Sequence, residues 1–148
     1  MSKKGQGGLA TEIEKTLRAI YIRIKREGRK VLKDFPITPA QFDVLQTLYF
    51  SGEKRMSDIS KILGITKSTT TGLVHRLIEG GFIERRRSKE DRRSYIIDIS
   101  GEGIKLIEKV IKRRVSYLNE ILTKLENHKP EELLMILDEL LDAMKKRG

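Results

Sequence analysis

The chain has 148 residues, enough for one compact domain with extensions, and 38% of them are hydrophobic against 35% charged. Its net charge of +10 favours a polyanionic partner, and residues 54–93 hold eleven Lys or Arg against five Asp or Glu, more than half of the excess. Cysteine is absent, which excludes disulfides, thiolate metal sites and thiol redox sensing.

The start, MSKKGQGG, is basic and flexible and does not lead into the apolar core of a signal peptide. No apolar run approaches the ~20 residues of a membrane helix. A cytoplasmic protein with no membrane partner is therefore expected. The many Lys, Glu and Ile, with few Asn and Gln, form a balance typical of heat-adapted proteins.

From Leu9, the residues Ile13, Leu17, Ile20 and Ile24 step by three or four, which predicts an amphipathic helix ending near Gly28. DFPITPAQF breaks the chain, and Thr38 before Pro39 has the form of an N-cap with proline at the first helical position. Phe42, Leu45, Leu48 and Tyr49 make a second stripe that stops near Ser51-Gly52. RMSDISKILGIT predicts a short helix with Ser57 as cap, Ile59, Ile62 and Leu63 inward, and Gly64 as terminator. Thr66 caps the next helix, which runs to Gly80-Gly81.

FIERRR and SYIIDIS are rich in β-branched, aromatic and arginine residues and read as two short strands joined by the polar SKEDRR. A long helix follows Ser100-Gly101, with Ile104, Ile107, Ile111, Leu118, Ile121 and Leu125 on a heptad-like seam that Arg114 interrupts. Pro130-Glu131-Glu132 opens a last helix with Leu133, Leu137, Leu140 and Met144 as its stripe. The expected fold is mainly α with a small β-hairpin: four helices, the hairpin, then two helices.

Catalysis finds no support in the motifs. TKST resembles the end of a nucleotide-binding loop, but Thr66 and Lys61 stand where that loop needs glycines. GEGIKL follows a strand and opens a helix, yet it lacks the third glycine and the βαβ surroundings of a dinucleotide site. Two distant histidines, His75 and His128, have no metal-ligand spacing. No enzyme activity, catalytic residue, metal or cofactor is expected.

A short helix, a glycine turn and a second helix form a helix-turn-helix, whose second helix enters the major groove. Turning that helix at about 100° per residue puts Thr70, Leu73, Val74 and Leu77 inside. Ser68, Thr69, Thr71, Gly72 and His75 then face out, with Lys67 and Arg76 beside them. Short hydroxyl side chains can donate and accept at base edges, a threonine methyl can touch the thymine methyl, and Gly72 allows close approach. Thr70, turned inward, is expected to tolerate Val. The hairpin behind this helix concentrates Arg85, Arg86, Arg87, Lys89, Arg92 and Arg93 within nine residues. Such a wing can hold phosphates while a tip arginine enters the minor groove. The alternative is a non-specific architectural or RNA-binding winged helix.

The stretch MSDISKILGITKSTTTGLVHRLIEGGFIERRRSKEDRRSYIIDISGEG, with its Asp91-x-Arg93 pattern before the strand and ISGEG, resembles the MarR family of transcriptional regulators. The resemblance runs from about Leu9 to Met144, and Ile99-Ser100 stands where the family usually has Leu-Thr. It implies a winged helix-turn-helix at 36–100 and a helical dimerisation region at 9–33 and 101–146 within a single domain. It also implies that Arg93 enters the minor groove and that Asp91 helps hold its side chain. The helices outside the DNA-reading segment carry more apolar surface than one small domain can cover, so a homodimer is expected. By the resemblance, terminal helices of both subunits interlock on a pseudo-palindromic duplex DNA operator, with repression as the outcome. A small phenolic or aromatic effector would bind between the two regions, bordered by Tyr21, Phe42 and Tyr49.

Overall fold

The computed structural model describes residues 6–148; the basic start through Gly5, read from sequence as flexible, lies outside the described residues. Among these residues six helices form, α1 (Gln6–Arg29), α2 (Pro39–Ser51), α3 (Met56–Leu63), α4 (Lys67–Glu79), α5 (Gly101–Leu122) and α6 (Pro130–Arg147), and a 3₁₀ turn (Lys30–Asp34) links the first two. Three strands, β1 (Lys54–Arg55), β2 (Ile83–Arg87) and β3 (Tyr95–Ile99), make an antiparallel sheet in the order β1-β3-β2. The mainly helical fold with a hairpin wing agrees with the sequence. The third strand is an addition: Lys54 and Arg55 pair with Ile97 and Ile96, and two residues are too few to carry a strand pattern of their own.

Local chemistry explains where α2, α3 and α4 begin and end. The Thr38 hydroxyl accepts from the Gln41 backbone N–H at 3.2 Å, and the Gln41 side chain accepts from the Thr38 N–H at 2.9 Å. This reciprocal capping box, with Pro39 next in line, starts α2. At α3 the expected cap is corrected: Ser57 lies inside the helix, Arg55 holds the cap position, and the Asp58 carboxylate accepts the Arg55 N–H. Gly64, at φ 65°, ends α3 in the left-handed region, and the Ile65 N–H donates back to the Ser60 carbonyl at 3.1 Å. Thr66 then caps α4 through the Thr69 N–H at 3.2 Å.

The core gathers Phe42, Val44, Leu45 and Leu48 of α2, Ile59 of α3, Val74 and Leu77 of α4, Ile83 and Ile97 of the sheet, and Leu106, Ile107 and Val110 of α5. Two sequence expectations shift here. Ile62 was expected inward but is 54% exposed; α3 is only eight residues long and buries Ile59 and Ser60 alone. In α5 the buried line is Gly103, Leu106, Ile107 and Val110, which shares only Ile107 with the heptad-like seam, and Leu125 falls beyond the end of the helix. The buried line is broader than the seam because α5 packs against a globular core, whose apolar stripe is wider than a coiled-coil line.

The start of α5 is fastened tightly. The buried Ser100 hydroxyl donates to the Gly81 carbonyl at 2.6 Å and accepts the Gly103 N–H at 3.2 Å. A Cβ at Gly103 would lie 2.2 Å from the Phe82 carbonyl oxygen, so the glycine of ISGEG is a packing requirement. At the other end of the core, Gly28 of α1 lets Arg114 and Val110 of α5 approach within 3 Å of where its Cβ would be. Arg113 pairs with Glu27 at 3.0 Å and Arg114 donates to Gln46 at 3.2 Å. Lys30 and, after it, Arg113 hold the Glu27 carboxyl below its ordinary value.

The chain divides into two compact units, the first running to Arg114 and the second from Val115 to Gly148. The first unit thus keeps the N-terminal part of α5, which the sequence reading assigned to the dimerisation region from residue 101. In the second unit α6 buries none of its residues, although it carries Leu133, Leu134, Met135, Ile136, Leu137, Leu140, Leu141 and Met144.

Candidate nucleic-acid interface

The two faces of α4 separate cleanly. Thr70, Val74 and Leu77 are buried, while Lys67, Ser68, Thr69, Thr71, Gly72, His75 and Arg76 are exposed. A Cβ at Gly72 would meet open space, so its absence there lowers the helix surface without serving the fold. The outward hydroxyls are already ordered by their own helix: the Thr69 hydroxyl accepts from the Thr66 hydroxyl at 2.8 Å, and the Thr71 hydroxyl donates to the Lys67 carbonyl at 2.8 Å. In this arrangement Thr69 keeps its O–H free to donate, whereas Thr71, its proton already given, keeps oxygen lone pairs to accept. His75 lies 2.8 Å from Glu79 one turn on.

The wing divides the predicted cations between its faces. Side chains alternate along a strand, and the register pairs Arg85 with Ile97, Arg86 with Ile96 and Arg87 with Tyr95. Arg85 and Arg87 therefore share a face with Tyr95, and their guanidinium groups stand 4.6 and 5.7 Å from its ring centre. Arg86 points to the other face, where it pairs with Glu53 at 2.5 Å. Glu84 and Asp98, directly opposite each other across the strands, add negative charge to that same face. One side of the wing is basic and the other is acidic with a paired arginine.

The loop between the strands closes on itself. The buried Ser88 hydroxyl accepts the N–H groups of Glu90 and Asp91, each at 3.3 Å, and the Ser94 N–H donates to the Asp91 carbonyl at 3.0 Å. Asp91 Oδ1 accepts the Arg93 backbone N–H at 3.0 Å and Oδ2 accepts the Ser94 hydroxyl at 3.1 Å. This is a β-turn with Asp at its first position, which sets Arg92 and Arg93 at the tip. Asp91 thus orders the backbone of Arg93, where the resemblance implies a hold on its side chain. Among the described residues, the side chains of Lys67, Arg76, Lys89, Arg92 and Arg93 make no ion pair.

An open groove of about 470 Å³ joins the wing to the helix-turn-helix, lined by Arg55, Met56, Ser57, Lys67, Thr71, Arg85, Arg93, Ser94 and Tyr95. It brings Lys67 and Thr71 together with Arg85 and Arg93. Arg55, Ser57 and Tyr95 were missed. Tyr95 was open to detection through its period-two relation to the two arginines across the strand, whereas Arg55 arrives only because β1 pairs with β3. The expected effector residues occupy separate environments: Tyr21 is exposed with the Lys25 ammonium 5.2 Å from its ring, Phe42 is in the core, and Tyr49 packs edge-on against Phe50.

This geometry, a capped polar helix with a basic wing behind it, coincides with residues 37–95, which match the model of the MarR family. An HTH-type transcriptional regulator of Bacillus subtilis, YsmB, is 38% identical over 110 residues, covering 74% of this chain and 75% of YsmB. The chain belongs to the MarR family. The transcriptional regulator Tm0710 of Thermotoga maritima has a similar structure, with a TM-score of 0.85 and 45% identity over 93% of this chain and 96% of that one. A MarR family protein of Bacillus stearothermophilus superposes with a TM-score of 0.76 at 29% identity, covering 97% of both chains. This MarR family member is a winged helix-turn-helix protein of DNA-binding transcription regulation. Among the described residues no cluster of three or more metal-ligating side chains occurs, and no helix is long and apolar enough to cross a membrane.

Proposed function

We propose that the protein binds duplex DNA sequence-specifically, as a homodimer on a pseudo-palindromic operator, and represses transcription by occupying that site. The observation that carries this reading is the groove that puts Lys67 and Thr71 of α4 beside Arg85 and Arg93 of the wing. Ser68, Thr69, Thr71 and His75 read base edges, Lys67 and Arg76 contact phosphates, and Arg85, Arg87, Lys89, Arg92 and Arg93 follow the backbone into the minor groove. Arg86 and Asp91 serve the wing itself.

The homodimer is supported by the apolar surface exposed on α1, at Leu9, Ile13 and Ile20, and along α6. A two-fold pair sets its two α4 helices about one DNA turn apart. Selection of bound sequences from random duplex DNA tests specificity, palindromy and half-site spacing together. Equal competition by random DNA or RNA would instead favour the architectural alternative. Release by a small phenolic or aromatic effector belongs to the same proposal. Tyr21 and Tyr49 are available to border such a site, and Phe42, in the core, can only support it. Calorimetry with salicylate-like acids, together with operator affinity, tests it: no heat and unmoved affinity would remove the effector.

A further inference from the structure

A polar link between the buried surfaces of α3 and α4 is a hydrogen bond from the Ser60 hydroxyl to the Thr70 hydroxyl, at 2.7 Å. Thr70 is fully buried and Ser60 nearly so. Thr70 in turn donates to the carbonyl of Thr66, the N-cap of α4, at 2.9 Å. The same Ser60 accepts the Ile65 N–H on its carbonyl at the end of α3. One residue therefore holds both the turn and the helix that follows it.

Neither the fold's volume nor its polar balance requires this bond. Valine has the shape of threonine. Without the Thr70 hydroxyl, the Ser60 hydroxyl still lies 3.4 Å from the Met56 carbonyl, and the Thr66 carbonyl still accepts the Thr70 backbone N–H at 3.0 Å. No buried group is left without a partner, so the usual reason for keeping a buried hydroxyl pair is missing. What the bond adds is direction. The apolar contacts of Ile59, Val74 and Leu77 are non-directional and allow small rotations, and a helix as short as α3 restrains them weakly. Side chains on α4 stand about 5–6 Å from its axis, so a rotation of about 15° moves their tips by about 1.5 Å. That is enough to break a base contact, whose geometry tolerates only a few tenths of an ångström.

We infer that Ser60 and Thr70 are positioning residues that set the rotation of α4, and with it the sequence discrimination of Ser68, Thr69, Thr71 and His75. The inference rests on the DNA-reading role proposed above. The test compares full-length wild type with T70V, T70S and S60A. It measures affinity for the selected operator and for random duplex at one salt concentration, with melting followed by circular dichroism. T70V and S60A should stay folded and bind random duplex as wild type does. Their operator-to-random ratio should fall about tenfold, the effect of one mismatched base pair, and T70S should restore it. A wild-type ratio near one would remove the underlying reading. With a clear wild-type ratio, the inference alone is overturned if T70V and S60A keep that ratio. It is equally overturned if T70S falls as far as T70V, or if both affinities fall together with the melting temperature.

Discussion

Helices α4 and α6 carry their apolar residues to opposite ends. In α4, a polar helix of thirteen residues, Thr70, Val74 and Leu77 are buried by the chain's own core. In α6, an eighteen-residue helix far richer in leucine, no residue is buried. Hydrophobic content therefore does not by itself place the core of this protein. It is placed by what packs against a helix, and α6 keeps its apolar residues exposed.

The largest test of this contrast is a charge on α6. Leu137→Glu should convert a dimer to a monomer and lower operator affinity by about a hundredfold or more through lost bivalency, while circular dichroism shows the helix-turn-helix core intact. Sedimentation and DNA titration measure both, and an unchanged dimer would break the comparison. On the other side, Gly103→Ala should destabilise the winged unit by about 1–3 kcal/mol through overpacking against Phe82, with the oligomeric state unaltered. Urea unfolding reads that difference.

Within the wing, Arg93→Ala should weaken operator binding and reduce the slope of log affinity against log salt by about 0.9, the value for one phosphate contact. Arg86→Ala should leave the slope unchanged, since Arg86 already pairs with Glu53 beside Glu84 and Asp98. Equal slopes for the two variants would erase the division of the wing into two faces. The smallest effect belongs to Glu27, which ties α1 to α5. Its folded-state pKa is lowered, so its contribution is complete above its unfolded value and is lost as pH falls through the lower folded one. The melting temperatures of wild type and Glu27→Gln should differ by a constant amount near neutrality and converge below about pH 4, the ordinary carboxylate range.

Much of the candidate interface was legible because its rules are local. The hydroxyl of Thr66, the proline after Thr38 and the left-handed Gly64 each act within a few residues, and rotation at helical period sorted Thr70 from Thr69 and Thr71. Where local rules competed, the reading slipped. Ser57 is as good a cap by type as any, but the chain enters α3 from β1, and Asp58 caps it by accepting at Arg55. Ile62 has the right spacing for burial, yet α3 is too short to offer a second layer.

The sequence by itself determined which residues could cap, which side of α4 faces out and where positive charge accumulates, because each depends on backbone period and near-neighbour chemistry. The tertiary structure decided which of those charges act together. Arg85 and Arg86 are adjacent in sequence, but strand alternation and the pairing of β2 with β3 send one to the groove and the other to Glu53. The bond between Ser60 and Thr70, and the approach of Gly103 to Phe82, likewise exist only once separate elements pack. Such contacts depend on register and distance between elements, quantities that no local pattern encodes.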